Sequence, residues 1–343
     1  MKINFIFSSI TFLQYYIPIV IEANKRNIES IFYIKNNKKI YADPLSINNF
    51  EILKRYIKKF NIKTNFNLNE LIKETGVIIM VDGDIYGPPK KYKKFSILFQ
   101  LHPDSTKISL QEHMNFNWSY KNYIDNVSYS IFPNIAYAKL YNTISDKNIY
   151  LGNTKYDYIL TEKDIYKKYK LKKQKYALVL FPKQKFIKNH NILPKHILNI
   201  YNYLYKLGYK IIVKSRPKDK IFTTCRGNLC VISDIFPNES LELMKISELC
   251  ILFSSSAIEE TIMMEIPTID FLVDDEIEKR LNFLYVEKSI QQITNWKKLK
   301  YNTFLQTILK LAPKNSEIYK DLKKKYLFEG NISVKILDFI NSI

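Results

Sequence analysis

Glycine is scarce: seven in 343 residues, where an ordinary chain carries about 7%. No GxGxxG or GxxxxGKS/T run occurs, so a glycine-rich loop is excluded as the main grip on a phosphate. Cysteine is rare and odd in number (Cys225, Cys230 and Cys250), with no CxxC pair. That excludes a disulfide framework and points to a reducing cytoplasm. Four histidines (His102, His113, His190 and His196) form neither HExxH nor a zinc-like spacing. Arginine is sparse too: Arg26, Arg55, Arg216, Arg226 and Arg280 stand among 53 cationic residues. Sequence-specific nucleic-acid readers lean on arginine for bidentate base contacts, and no nucleic-acid motif is present, so no nucleic-acid partner is expected. No apolar run reaches the ~18–20 residues of a membrane span. The opening 23 residues have the parts of a signal peptide, namely one lysine, an apolar stretch and Ala23. Ser8, Ser9 and Gln14 interrupt that stretch, and it reads instead as strand, polar turn and helix.

What the chain does have is core material and positive charge. With 46% hydrophobic and 14% aromatic residues, it can bury real cores, and its length suits about two domains. The net charge of +20 suits an anionic membrane face or phosphorylated substrates. An excess of Lys, Ile, Asn and Tyr also fits an AT-rich genome, which needs no function. The lysine cluster at 90–94, with Tyr86, Tyr92 and Phe95 beside it, is the candidate for peripheral contact with an anionic membrane.

Short apolar runs alternate with helical spacing along the whole chain. Residues 3–7, 30–34, 77–81, 96–101, 128–132 and 148–151 read as strands, with helices at 12–24 and 45–60. A second series has strands at 176–181, 209–213, 229–232, 249–253 and 268–272. Its helices fall at 193–207, from the cap Asn238 to 246, and from the serine run at 254 to 265. Helical patterns at 316–326 and 333–340 close the chain. Such alternation predicts parallel sheets covered on both faces, here as two doubly wound, Rossmann-like domains facing across a cleft. The expected divisions are an acceptor-side domain at 1–152 and a nucleotide-donor domain at 153–314. The helices of 315–343 are expected to cross back to the first domain.

Ligands in open α/β sheets bind beyond the carboxyl ends of the strands. In the first half those positions hold Ser8, Ser9, Asp82, Asp84, Gln100 and His102, a set suited to proton transfer. In the second half they hold Lys183, Lys214, Ser215, Arg216, Ser254, Ser255 and Ser256, suited to anions. Three serines that end a strand and open a helix either cap that helix, for which one suffices, or turn hydroxyls and free N–H groups on a phosphate. Arg216 has the planar fork that fits phosphate, although its loop also reads as a solvated surface. Glu259 and Glu260 either accept from a ribose or favour the helix dipole. Residues 233–238, with Phe236 and Pro237, offer a place for a nucleobase or a buried loop aromatic. His102 after its strand is a candidate base, with Asp82 as orienting carboxylate. Asp82-Gly83-Asp84 is a DxD by letters, but it falls in the acceptor half, so no metal is expected.

Several of these runs resemble one group of enzymes. Gly152-Asn153-Thr154-Lys155-Tyr156-Asp157 is similar to the GNxxxD element of GT-B-type transferases, a group that includes CDP-glycerol glycerophosphotransferases, Kdo transferases and UDP-GlcNAc 2-epimerases. Lys214-Ser215-Arg216-Pro217 sits where the glycerophosphotransferases have a Lys-Pro-His-Pro-like run. Residues 238–271 are similar to that family's segment of double serine, acidic residue and proline. Gln100-Leu101-His102 resembles its Gln-x-x-His element, in which the histidine is the base. The chain departs from the pattern in three places. Ser215 or Arg216 replaces a histidine, Pro103 replaces a glycine, and the gap between Gln100 and His102 is one residue shorter. The epimerases' His-Arg-x-Glu-Asn run is replaced by Phe181-Pro182-Lys183-Gln184-Lys185. Asp82-Gly83 resembles the acidic-Gly motif of bacterial GT-B sialyltransferases, which implies a CMP-linked donor and Asp82 as base.

The resemblance implies a GT-B-like, metal-independent transferase without a cofactor. It would move a sugar or polyol-phosphate from a CDP-, CMP- or UDP-linked donor to a hydroxyl of a surface glycan or lipid-linked acceptor, at the inner face of the plasma membrane if its lysines meet lipid. Lys183, Lys214, Ser215, Arg216 and the three serines would hold the phosphates. Glu260, seven residues before Pro267 as in the family, would hold the ribose, and Phe236 and Pro237 the base. Ser8, Ser9, Asp84 and Gln100 would line the acceptor side, with His102 or Asp82 as catalyst. An epimerase or hydrolase of nucleotide-sugars and a non-catalytic assembly subunit are the alternatives.

Overall fold

The computed structural model describes residues 1–7, 10–34, 46–67, 70–71, 76–81, 96–99, 128–132, 135, 146–182, 187–188, 190–215, 229–232, 236–255, 257–272, 288–294, 296–326 and 330–343. They divide into two compact units, Met1–Tyr158 with Tyr326–Ile343, and Ile159–Lys325.

The first unit opens with β1 (Lys2–Phe7), a 3-10 turn at Ile10–Phe12 and α1 (Leu13–Lys25). It continues through β2 (Glu29–Ile34), α2 (Ser46–Lys59), β3 (Lys63–Asn65), β4 (Val77–Val81), β5 (Ser96–Phe99), β6 (Tyr129–Phe132) and β7 (Asn148–Tyr150). The seven strands form one sheet in the order β3-β2-β1-β4-β5-β6-β7, and every pairing is parallel. Apolar runs such as Ile3–Phe7 suit strands covered on both faces. α1 is buried on nearly every side, as expected of a helix apolar all round. Its Tyr16 ring lies 4.8 Å from Phe5 and 5.9 Å from Phe32, and its hydroxyl donates to the Ile6 carbonyl at 2.9 Å. That bond lets a tyrosine fill the core without a stranded polar atom. Gly76 enters β4 at φ +122°, where a Cβ would stand 2.5 Å from the Lys2 carbonyl oxygen. One of the few glycines is therefore used where two backbones approach.

The second unit runs α3 (Glu162–Lys168), β8 (Tyr176–Leu180), α4 (Pro194–Lys206), β9 (Lys210–Ser215), β10 (Leu229–Ile232), α5 (Glu239–Ile246) and β11 (Leu249–Leu252). It ends with α6 (Ile258–Met263), β12 (Thr268–Phe271), β13 (Ile290–Ile293), a 3-10 turn at Trp296–Lys298, α7 (Tyr301–Leu309) and α8 (Glu317–Tyr326). Its six strands are parallel in the order β10-β9-β8-β11-β12-β13. Alternate strand residues (Val179, Val213, Ile251, Ile269 and Phe271) pack with Ile197, Ile200 and Leu204 of α4 and with Trp296 and Phe304. Each fully buried side chain of this kind is worth about 1.5–3 kcal/mol. Asn238 caps α5 by accepting from the Ser240 N–H, the cap expected from its position before a helical run.

The chain then returns to the first unit as α9 (Ile332–Ser342). This helix buries Ile336, Leu337 and Ile340 and packs on α1, to which Arg26 and Asp338 add an ion pair of 2.6 Å.

Candidate functional site

Both sheets are doubly wound, with the strand order reversing beside β1 in one unit and beside β8 in the other. Ligands of open α/β sheets sit at that reversal, beyond the carboxyl ends of the strands. In the first unit the reversal lies between β1 and β4, with β5 next. The residues that follow these three strands are Ser8, Asp82 and Gln100. They lie outside the described residues, as do Ser9, Asp84 and His102.

In the second unit the reversal lies between β8 and β11. β8 leaves the sheet through Phe181 and Pro182, and the Phe181 N–H donates to the Lys214 carbonyl at 2.8 Å. That bond draws the end of β8 against the end of β9, where Lys214 and Ser215 are 9% and 3% exposed. Val213 belongs to the core beneath α4, so strand alternation puts Lys214 on the opposite face. Lys183, Arg216, Ser256 and residues 233–235 lie outside the described residues. Phe236 is buried and Pro237 half-buried just ahead of α5.

The serine run divides by role. Ser254 is buried at φ +45°, in the left-handed region that costs a non-glycine residue on the order of 1–3 kcal/mol. Its N–H donates to Asp270 Oδ1 at 2.8 Å, and its hydroxyl reaches towards the Phe271 carbonyl at 3.5 Å. Ser254 thus faces inward to β12 and sets the turn. Ser255 is half-buried and accepts the Ala257 N–H at 3.2 Å. The helix expected from residue 254 starts at Ile258, beyond the left-handed turn at Ser254, and its N-cap is Ala257, which makes no side-chain cap bond. Glu259 is buried and Glu260 half-buried on α6. Burial, followed by the charges of Glu260 and Asp270, pushes the Cys250 thiol well above its usual range. Two carboxylates therefore gather behind the serine turn. In chemical terms the strand ends bring a cation and a hydroxyl at 214–215 and a half-buried hydroxyl at 255, while Asp270 is fully buried and engaged by the Ser254 N–H.

Asp270 was not legible as the partner of the serine turn. The available signal was a lone acid inside the apolar run Ile266-Pro267-Thr268-Ile269-Asp270-Phe271, since a fully buried carboxylate requires a partner. The GNxxxD stretch also has a use that its spacing hides. Gly152 turns at φ +101°, Asn153 caps the 3-10 turn at Thr154–Tyr156, and Thr154 Oγ1 donates to the Tyr15 carbonyl at 2.8 Å. Asp157 then accepts the Ile332 and Ser333 N–H groups at 2.8 and 2.6 Å and also the Ser333 hydroxyl. It satisfies the otherwise orphaned donors at the start of α9.

No protein-family model matches the chain, and no curated protein matches it by sequence. Solved structures do match it. The UDP-GlcNAc 2-epimerase of Neisseria meningitidis, bound to UDP-GlcNAc, is similar with a TM-score of 0.65 and 16% identity over 100% of both chains. A variant of the wall teichoic acid polymerase TagF gives 0.62 and 13% over 100% of this chain and 88% of that one. The spinosyn forosaminyltransferase SpnP gives 0.56 and 7% over 99% of each. At such identities the likeness is one of fold: the chain has the GT-B fold, with parallel sheets in two Rossmann-like domains. Among the described residues no helix is long and apolar enough to cross a membrane.

Proposed function

We propose that the chain is a metal-independent transferase that moves a sugar or polyol-phosphate from a nucleotide-activated donor (CDP-, CMP- or UDP-linked) to a hydroxyl of a surface glycan. The observation that carries this reading is the gathering of Lys214, Ser215 and the Ser254–Ser255 turn at the carboxyl ends of strands beside the reversal of the second sheet. The fold adds support, since its structural neighbours include enzymes of nucleotide-sugars and a polymerase of wall teichoic acid. In this reading Lys183, Lys214, Ser215, Arg216, Ser255 and Ser256 hold the phosphates, and Ser254 acts through the turn it sets. Glu260 binds the ribose, and Phe236 with Pro237 borders the base. His102 or Asp82 takes the proton from the acceptor, which Ser8, Ser9, Asp84 and Gln100 orient. Cations and hydrogen-bond donors that stabilise the leaving phosphate act electrostatically and require no divalent ion. Asp82 as base would go with a CMP-linked donor.

The test is a thermal-shift panel with CMP, CDP, UDP, GDP and ADP. One nucleotide should raise the melting temperature in proportion to the logarithm of its concentration above Kd, and a flat response to all five would reject the reading. A second reading, nucleotide-sugar 2-epimerase, is favoured by the full-length likeness to the meningococcal enzyme. Against it stands Phe181-Pro182-Lys183-Gln184-Lys185 where epimerases carry His-Arg-x-Glu-Asn. Turnover of UDP-GlcNAc with no acceptor present would decide for the epimerase.

A further inference from the structure

The end of the second unit remote from the candidate site carries an unusual surface. Seven of the thirteen residues from 163 to 175 are lysine, against about one in seven over the whole chain. The segment is α3, a tight turn and the lead into β8. Lys175 directly precedes β8, and the N–H of Lys210, the first residue of β9, donates to the Lys175 carbonyl at 2.8 Å. Glu248 precedes β11, and its N–H donates to the Tyr176 carbonyl at 2.8 Å. These bonds gather the segment at the amino ends of three adjacent strands, opposite the carboxyl ends that hold Lys214 and Ser255.

Lys163, Lys167, Lys170, Lys172, Lys173 and Lys210 are all exposed, and none makes an ion pair among the described residues. Lys168 is the exception, tied to Glu242 at 2.7 Å. Besides Glu242, the acids nearby among the described residues are Glu162, Asp164, whose carboxylate accepts the Thr161 hydroxyl at 2.6 Å, and Glu248. Helix dipoles account for lysines in the last turn of α3, but not for Lys170, Lys172, Lys173 or Lys210, which lie beyond it. Tyr166 and Leu171 are half-buried between the lysines, while the Tyr169 hydroxyl turns inward to Glu242 at 2.7 Å, so the face sets ammonium heads beside apolar and aromatic surface.

We infer that this face docks on an anionic lipid bilayer. Lysine stems lie along apolar surface while their heads reach headgroup oxygens, and tyrosines suit the interfacial zone. Among its described residues the face contains no arginine, which disfavours nucleic acid. Docked this way, the second unit holds its candidate site on the side turned away from the lipid. The inference is independent of the transferase reading.

The test is co-sedimentation of the full chain with vesicles of phosphatidylcholine holding about a third phosphatidylserine, and with phosphatidylcholine alone, at ~0.15 M salt. Binding to the anionic vesicles only, and release by higher salt, are expected. Each lysine removed from contact lowers partitioning about fivefold. The variant with Lys163, Lys167, Lys170, Lys172 and Lys173 changed to Gln should therefore lose more than about a hundredfold. A charge-matched variant with Lys54, Lys58, Lys59, Lys63 and Lys335 changed to Gln should lose less than about tenfold. Equal losses would assign the binding to net charge and overturn the inference. So would equal binding to both vesicles, insensitivity to salt, or tighter binding to random-sequence duplex than to vesicles.

Discussion

In the first unit the middle of the sheet lies against aromatic rings, with Phe5, Phe7 and Phe32 from β1 and β2 meeting Phe12 and Tyr16. In the second, α4 covers the sheet with Ile197, Ile200 and Leu204 and one buried ring, Tyr201, and the rings of Phe253, Phe271 and Trp296 gather beside one another. The winding is the same in both, so it depends on short apolar strands joined by crossovers rather than on one packing chemistry. Two buried polar groups, one in each unit, differ in use. Asn4 is fully buried in β1, and neither its amide nitrogen nor its oxygen has a hydrogen-bond partner among the described residues. Asp270, equally buried in β12, accepts a backbone N–H. In β12 the buried polar group shapes a turn, and in β1 it is a cost.

The largest expected effect tests the division of labour between the units. His102→Ala should lower kcat by about 10²–10⁴-fold and leave the nucleotide-induced melting shift intact. Lys214→Ala should instead reduce that shift severalfold. If both variants lose the shift equally, the units do not share the work as proposed.

Next comes a buried charge pair found in the second unit. Glu242 is fully buried and accepts from Lys168 Nζ and from the Tyr169 hydroxyl, each at 2.7 Å, which joins α3 to α5. Lys168→Met leaves the carboxylate without its cation and should cost about 3–5 kcal/mol. Lys168 is partly exposed, which places the effect at the low end of that range. Urea unfolding would measure it, and a loss under about 1 kcal/mol would mean that the tyrosine hydroxyl alone suffices.

In the first unit the counterpart is the Asp157 clamp on α9. Asp157→Ala strands the donors of Ile332 and Ser333 and should cost about 1–3 kcal/mol. Burial pushes the Asp157 carboxyl above its usual range, outweighing the bonds from Ser333 and Ile332 that pull it down. The folded chain therefore keeps this proton to higher pH than the unfolded chain does. The group's contribution to stability is greatest below the ordinary carboxylate range and falls as pH rises through the raised value. Asp157→Asn should erase that slope, so its stability difference from wild type should change as pH rises through and above the ordinary carboxylate range. A constant difference would contradict the assignment.

The smallest effect has the opposite sign. Asn4→Val removes a buried amide that has no hydrogen-bond partner among the described residues and supplies a strand-forming side chain. It should raise the stability of the first unit by about 1 kcal/mol, seen as a higher urea midpoint at unchanged slope. Asp270→Val, which removes a bonded carboxylate, should destabilise the second unit.

Legibility followed the strength of local pattern. Continuous apolar runs such as Val77-Ile78-Ile79-Met80-Val81 and Leu249-Cys250-Ile251-Leu252 announce buried strands, and Asn238 announces a helix start. β3 and β13 escaped notice because neither is a continuous apolar run: Lys63-Thr64-Asn65 and Ile290-Gln291-Gln292-Ile293 form edge strands, and most of their residues are not fully buried. α3 escaped because Ile165 is its only buried residue. α7 buries only Phe304, too little to mark a helical face. Which residues end the strands was legible, but not how each of them turns. Ser254, Ser255 and Ser256 are equal as letters, whereas Asp270, sixteen residues from Ser254, turns the first of them inward.

The amino-acid sequence alone determined that the chain winds two parallel sheets with polar residues at their carboxyl ends. Apolar periodicity is a local property, and each strand or helix carries its own. Only the tertiary structure decided that Asp157 would clamp a helix 175 residues away and that Asp270 would set the serine turn. A buried carboxylate must find donors wherever the fold brings them, and no spacing along the chain encodes where that is.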